Sequence, residues 1–150
     1  MFQSNIEVYS KFVKTIYNSG QVDQISHFVA FRLIEHQKGV YPPTIDGLTK
    51  WVKVLHSAFS DLKVSVSEVV EAGDRIWSRL LVEGTHVNKF MGIVPSGKHM
   101  VADFMEECRF HDCKIVEHWG VLDRFAIVQQ ISGSKPFIPT SNGPQDISLF

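Results

Sequence analysis

The sequence predicts an α+β domain in which a strongly curved, mainly antiparallel sheet packs on three N-terminal helices. Three observations predict it. Apolar residues recur at helical spacing from Ile6 to Tyr17 and again from Ile45 to Phe59, and from Leu62 onward the period changes to two. Helices first and strands after is an α+β order. The chain has 150 residues, 44% of them apolar, with 11 Phe and 3 Trp, which is enough side-chain volume for one core. A sheet with one apolar face can shield it by curling around the helices. The result is a half-barrel or cone with a pocket between sheet and helices.

The elements follow in order. Ile6, Tyr9, Val13, Ile16 and Tyr17 share one helical face, with Lys11 and Lys14 outward. Asn18-Ser19-Gly20 stops this helix, and Gly20 suits a left-handed cap. Val22 to Phe31 reads as a second short helix, and Leu33 to His36 as a brief extended piece. Tyr41-Pro42-Pro43 excludes helix from the loop that follows. Ile45, Leu48, Trp51, Val52, Leu55 and Phe59 mark a third, longer helix behind an N-cap at Thr44. Leu62 to Val70 and Arg75 to Glu83 read as strands joined by the turn Glu71-Ala72-Gly73-Asp74. Met100 to Phe110 and Lys114 to Asp123 are two further strands around His111-Asp112-Cys113, and Phe125 to Ile131 is a closing helical turn. Residues 1–132 are expected to form the domain, and 133–150, rich in Ser, Pro, Gly and Asn, a tail.

Composition excludes several classes. A formal net charge of -1 supplies no field for nucleic acid or an anionic membrane. No apolar run approaches the roughly 20 residues of a membrane helix, and Met1 to Ser10 carries no apolar signal segment. Cys108 and Cys113 flank a turn containing His111, but no other Cys or His pair has ligand spacing. Neither a metal nor a disulfide framework is expected, and reduced thiols in a cytoplasm are the default. No phosphate loop and no nucleophile elbow is present, so any chemistry is proton transfer.

Candidate site residues concentrate between Gly84 and Gln130. His86, Arg109, Glu117 and Asp123 lie in segments that otherwise read as buried strands. A carboxylate in such a strand is paired, solvated or functional. With a period of two, Glu117, Trp119 and Asp123 share one strand face. Asp123 also suits a helix N-cap. Arg109 serves a structural ion pair or grips an oxyanion.

Several runs carry a resemblance. They are Phe59-Ser60-Asp61-Leu62, Gly73-Asp74-Arg75-Ile76, Gly84-Thr85-His86, Gly92-Ile93-Val94-Pro95-Ser96-Gly97, Lys114-Ile115-Val116-Glu117-His118-Trp119 to Asp123, and Gln129-Gln130. In this order they resemble the SnoaL-like polyketide cyclase (ester cyclase) family, over about residues 6–132. The resemblance implies the cone-shaped α+β barrel also seen in nuclear transport factor 2. It implies ring closure of a polyketide by intramolecular aldol condensation, with no metal or cofactor. By motif, Asp123 matches the acid/base carboxylate. His36 matches a position where a family His faces the cavity. Asp123, His36 and Arg109 are therefore the expected catalytic residues, and Trp119, Glu117, His86, Trp51 and Phe59 the expected pocket lining. The bland readings stay beside these: a cap for Asp123, a core His for His36, a loop-fixing His for His86.

Two functions follow from the same cone. One is a cofactor-free cyclase or isomerase acting on an apolar carbonyl compound. The other is a module that binds such a molecule without turning it over. Proteins of this fold commonly pair through the convex sheet face, so a homodimer is expected. Phe104, Cys108, Phe110 and His118, of opposite parity to Arg109 and Asp123, are its expected contacts.

Overall fold

The structure is a computed structural model that describes residues 4–133. The expected tail therefore falls outside the described residues except for Gly133. Helix α1 is Asn5–Phe12. Ser4 caps it in a capping box, its hydroxyl accepting from Glu7 N while Glu7 accepts from Ser4 N. The helix continues as a π-helical stretch over Val13–Asn18. A 3-10 helix (Val22–His27), strand β1 (Val29–Glu35) and helix α2 (Ile45–Ala58) follow. Strands β2 (Phe59–Ala72), β3 (Arg75–His86), β4 (His99–His111) and β5 (Lys114–Leu122) lead to helix α3 (Arg124–Ser132).

The fold is α+β, an open five-stranded sheet of order β1-β5-β4-β3-β2 with α1 ahead of it in the chain, α2 between β1 and β2, and α3 after β5. Three of its four pairings are antiparallel, and β1 runs parallel to β5 with Val29 opposite Ile115. The sequence-based second helix over 22–31 needs correcting. It is one 3-10 segment, and the chain is already extended at Val29. The reason is non-local: β1 finds its partner in β5, more than 80 residues on, and local spacing carries no trace of that pairing. Register shifts between Ser60 and Lys63 and between Val66 and Glu68 bend β2 as bulges do. At the first of these Asp61 takes a φ of 52° and its carboxylate accepts from Thr85 N.

One sheet face is covered by the helices and makes the core. On it lie Ile76, Leu80 and Val82 of β3 and Met100, Ala102, Phe104, Cys108 and Phe110 of β4. Val8, Phe12 and Ile16 of the first helix and Leu48 and Val52 of α2 are buried in the same cluster. Phe59 is buried and Trp51 packs on the core from its edge. Helix α3 is pinned to β4 by Gln130, whose amide accepts from Val101 N and donates to Val101 O. That gives the Gln129-Gln130 motif a structural task.

The expected dimer contacts are corrected here. Phe104, Cys108, Phe110 and His118 are all buried inside the chain, beneath the helices. Alternation splits a strand into two faces, but it does not say which face the helices cover. The open face is the other one, where Trp77 is 52%, Met105 50% and Val121 72% exposed.

Candidate functional site

The interior holds a narrow apolar cavity of about 30 Å³. Trp51, Val52 and Leu55 of α2 form one wall, and Leu62, Val64, Val82, Phe104 and Leu122 of the sheet form the other. Two polar side chains reach it, Tyr17 and Gln37. Gln37 stands just beyond β1, 4% exposed. Neither its Nε2 nor its Oε1 has a hydrogen-bond partner among the described residues. Its side chain lies against Gly120 of β5. A Cβ at Gly120 would stand 2.7 Å from Gln37 Oε1 and 2.8 Å from the Phe104 ring. Glycine at 120 is therefore what leaves room for the amide. A buried amide without partners is costly, and such groups mark functional positions or strain. Trp51, Leu55 and Leu62 are half-buried, so the cavity lies closest to solvent between α2 and the start of β2.

Beneath the cavity runs a buried charged network. His118 Nδ1 donates to Glu35, with 2.8 Å to Oε2, and His118 Nε2 donates to Glu106 Oε2 at 2.9 Å. Burial opposes the imidazolium, but the hydrogen bonds and charges of Glu106 and Glu35 outweigh it and hold His118 up at about 10. Tyr17 Oη donates to Glu106 Oε2 at 2.8 Å, and Tyr9 Oη donates to Glu106 Oε1. Burial first, then the Glu106 charge, pushes both phenols well above their ordinary range, so both stay neutral donors. Glu35 Oε1 also accepts from Gln37 N at 2.8 Å, which ties the network to the residue at the cavity. Each buried charge thus has a partner, as a low-dielectric interior requires.

Glu106, Cys108 and His118 bring ligand-type atoms within 4.8 Å of one another, among the described residues. Both His118 nitrogens are already engaged by carboxylates, and burial pushes the Cys108 thiol well up. Two of the three, Glu106 and His118, belong with Glu35 to the buried ion triad.

The expected site residues fall into separate places. His36, Glu117, Arg109 and Trp119 do come together, but on the outer sheet face, not in the interior. His36 Nε2 meets Glu117 Oε1 at 2.8 Å, and Arg109 Nε donates to Glu117 Oε2 at 2.8 Å. These two hydrogen bonds, His36 first, hold the Glu117 carboxyl below its usual value. The His36 ring stacks on Trp119 at 4.5 Å and 8°. Trp119, Trp77, Met105 and Val121 border a shallow outer groove of about 360 Å³. Arg75 lies 5.4 Å over the Trp119 ring and pairs with Glu107. Asp123 is exposed at the N-terminus of α3, where its Oδ1 accepts from Ala126 N at 2.9 Å. His86 is fully buried; its Nδ1 accepts from Ser96 N, which ties down the loop between β3 and β4. Of the expected residues, Trp51 lines the cavity, with Phe59 buried in the core beside it.

Sequence reasoning missed Gln37, Tyr17 and the Glu35–His118–Glu106 triad. A signal existed for part of this. Glu106 falls on the Phe104–Cys108 face of β4, and Glu35 ends an apolar strand, so both are carboxylates set among core positions.

Comparison with known proteins places the chain. The SnoaL-like polyketide cyclase family matches residues 7–131. Among solved structures, AclR of Streptomyces galilaeus, named as a candidate hydroxylase, aligns with a TM-score of 0.78 at 26% identity over 91% of this chain and 85% of that one. IdmH of Streptomyces antibioticus, named as a candidate polyketide cyclase, aligns with a TM-score of 0.77 at 24% identity over 87% of this chain and 99% of that one. TsrD of Streptomyces laurentii aligns with a TM-score of 0.76 at 18% identity over 87% and 97%. No curated protein sequence matches the chain. At such identities the structural likenesses speak for the fold, while the sequence match speaks for descent. The chain belongs to the SnoaL-like polyketide cyclase family.

Proposed function

We propose that the chain takes a small apolar carbonyl compound into the cavity between α2 and the sheet, and promotes aldol-type ring closure there by cofactor-free proton transfer. The observation that carries this reading is the unpartnered Gln37 amide in an otherwise apolar cavity. An N–H aimed into a dry site stabilises a carbonyl oxygen, and more so the enolate it becomes. Tyr17, kept neutral by its surroundings, gives its one O–H to Glu106 Oε2, which leaves the Gln37 amide as the donor at the cavity wall. The cavity as it stands has room for about one or two waters. A ligand therefore enters as the half-buried wall of Trp51 and Leu55 gives way.

The base is the remaining requirement. No carboxylate and no imidazole lines the cavity among the described residues. Asp123, the acid/base candidate by family motif, directly follows the cavity-lining Leu122, and we assign it the proton transfer from the rim. The same observation favours a second reading, a binding module that holds its ligand unchanged. Asp123→Asn separates them, with turnover of a linear aromatic polyketone followed by the absorbance of its ring-closed product. Asn caps a helix about as well as Asp, so folding persists. Loss of general acid/base catalysis lowers turnover by roughly 10²–10⁴-fold. Unchanged turnover would reduce Asp123 to a helix cap. Ligand binding by the wild type with no turnover would establish the binding module. A cytoplasmic location and pairing of two copies through the outer sheet face complete the proposal.

A further inference from the structure

We infer that the compound this cavity takes also carries an acidic group, and that Arg124 at the cavity rim is the residue that holds it. The inference rests on the reading above and names the substrate class more narrowly. Arg124 opens α3, two residues after cavity-lining Leu122. Its guanidinium lies 4.7 Å from the ring centroid of Trp51, itself a cavity wall. Its Nη2 donates to Lys38 O, in the loop that leads away from Gln37. Gly39 completes the cradle. Its φ of 84° suits glycine, and a Cβ there would run into the Arg124 guanidinium.

Among the described residues this cation has no anion beside it. Arg75, Arg79 and Arg109 each pair with a carboxylate. Arg124 pairs with none among the described residues, although it is half-buried and fixed by a stack and a backbone bond. Of the five N–H donors on a guanidinium, one is used on Lys38 O. The planar fork of arginine matches a carboxylate or an acidic enol, and stacking on Trp51 spares it the ordering cost of a loose side chain. Gln37 lines the cavity, and Arg124 sits against its Trp51 wall and on the loop next to Gln37. The matching ligand has a carbonyl at its inner end, an apolar body, and an anion at its outer end.

The test uses para-benzoylbenzoate and its methyl ester, an aromatic ketone with and without the anion, titrated calorimetrically into the full chain. The wild type should bind the acid about tenfold or more tightly than the ester at low salt, with the preference shrinking as salt is raised. Arg124→Gln should abolish the preference and leave ester affinity in place, and Arg124→Lys should keep part of it. A merely structural arginine would weaken both ligands together and leave the ratio unmoved. Equal affinity for acid and ester in the wild type, or a preference indifferent to salt, overturns the inference while the cavity reading stands. Failure of both ligands to bind overturns both.

Discussion

Replacing Gln37 by leucine should stabilise this protein while impairing its ligand binding. The amide is 4% exposed and neither of its polar atoms has a partner among the described residues. Burying an amide without hydrogen bonds costs about 1–3 kcal/mol on the scale of mutational data. Leucine has nearly the same volume and would meet Phe104 and Leu122 across the cavity with apolar surface. The backbone bonds of residue 37, from its N to Glu35 and from Val40 to its carbonyl, do not depend on the side chain. Gln37→Leu should therefore gain about 1–3 kcal/mol, which in a domain of this size raises Tm by roughly 3–5 °C per kcal/mol. Thermal unfolding by circular dichroism gives Tm, and urea titration with an unchanged m-value gives the free energy. Affinity for an aromatic ketone should fall about tenfold in the same variant, because a carbonyl oxygen would lose its donor. An unchanged or lowered Tm would refute the reasoning. It would mean the amide is satisfied in the folded chain and is structural.

Three further outcomes are expected. The His118 imidazole, raised to about 10 from an ordinary 6.5, contributes stability that is complete below the unfolded value and is lost as pH rises through the folded one; urea stability should fall across that window, and its proton resonances should not titrate between about pH 5 and about pH 8. A midpoint near 6.5 would show that the triad does not hold the proton. Gly120→Ala should drive a methyl into Gln37 and Phe104 and cost about 1–3 kcal/mol by overpacking, read by urea denaturation, with ligand affinity falling as the amide shifts. Light scattering at micromolar concentration should give the mass of a pair, and Val121→Asp, placing a charge on the open apolar face, should halve it; a monomeric mass for the wild type would count against pairing.

Much of the fold was legible in the residues themselves. Helical spacing from Ile6 to Tyr17 and from Ile45 to Phe59, and alternation from Leu62 onward, are local signals, so α1, α2 and the four later strands stand close to where they were expected. Ordered glycine motifs reached the family. The sequence could not choose between the two faces of a strand. Phe104 and Met105, or His118 and Trp119, alternate with equal claim to the interior, and only the packing of α1 and α2 over one side decided it. That one choice moved Arg109, Glu117 and Trp119 outside and brought Glu106 and His118 in. Parallel pairing of β1 with β5 was likewise invisible, since it joins segments far apart in the chain. The site depends on the same distant contacts. Gln37, Gly120, Trp51 and Arg124 come from four separate segments, and nothing in the spacing of one refers to another. Local chemistry fixes which elements form. Which side chains share a cavity depends on how the elements close on each other, and that is a property of the packed molecule alone.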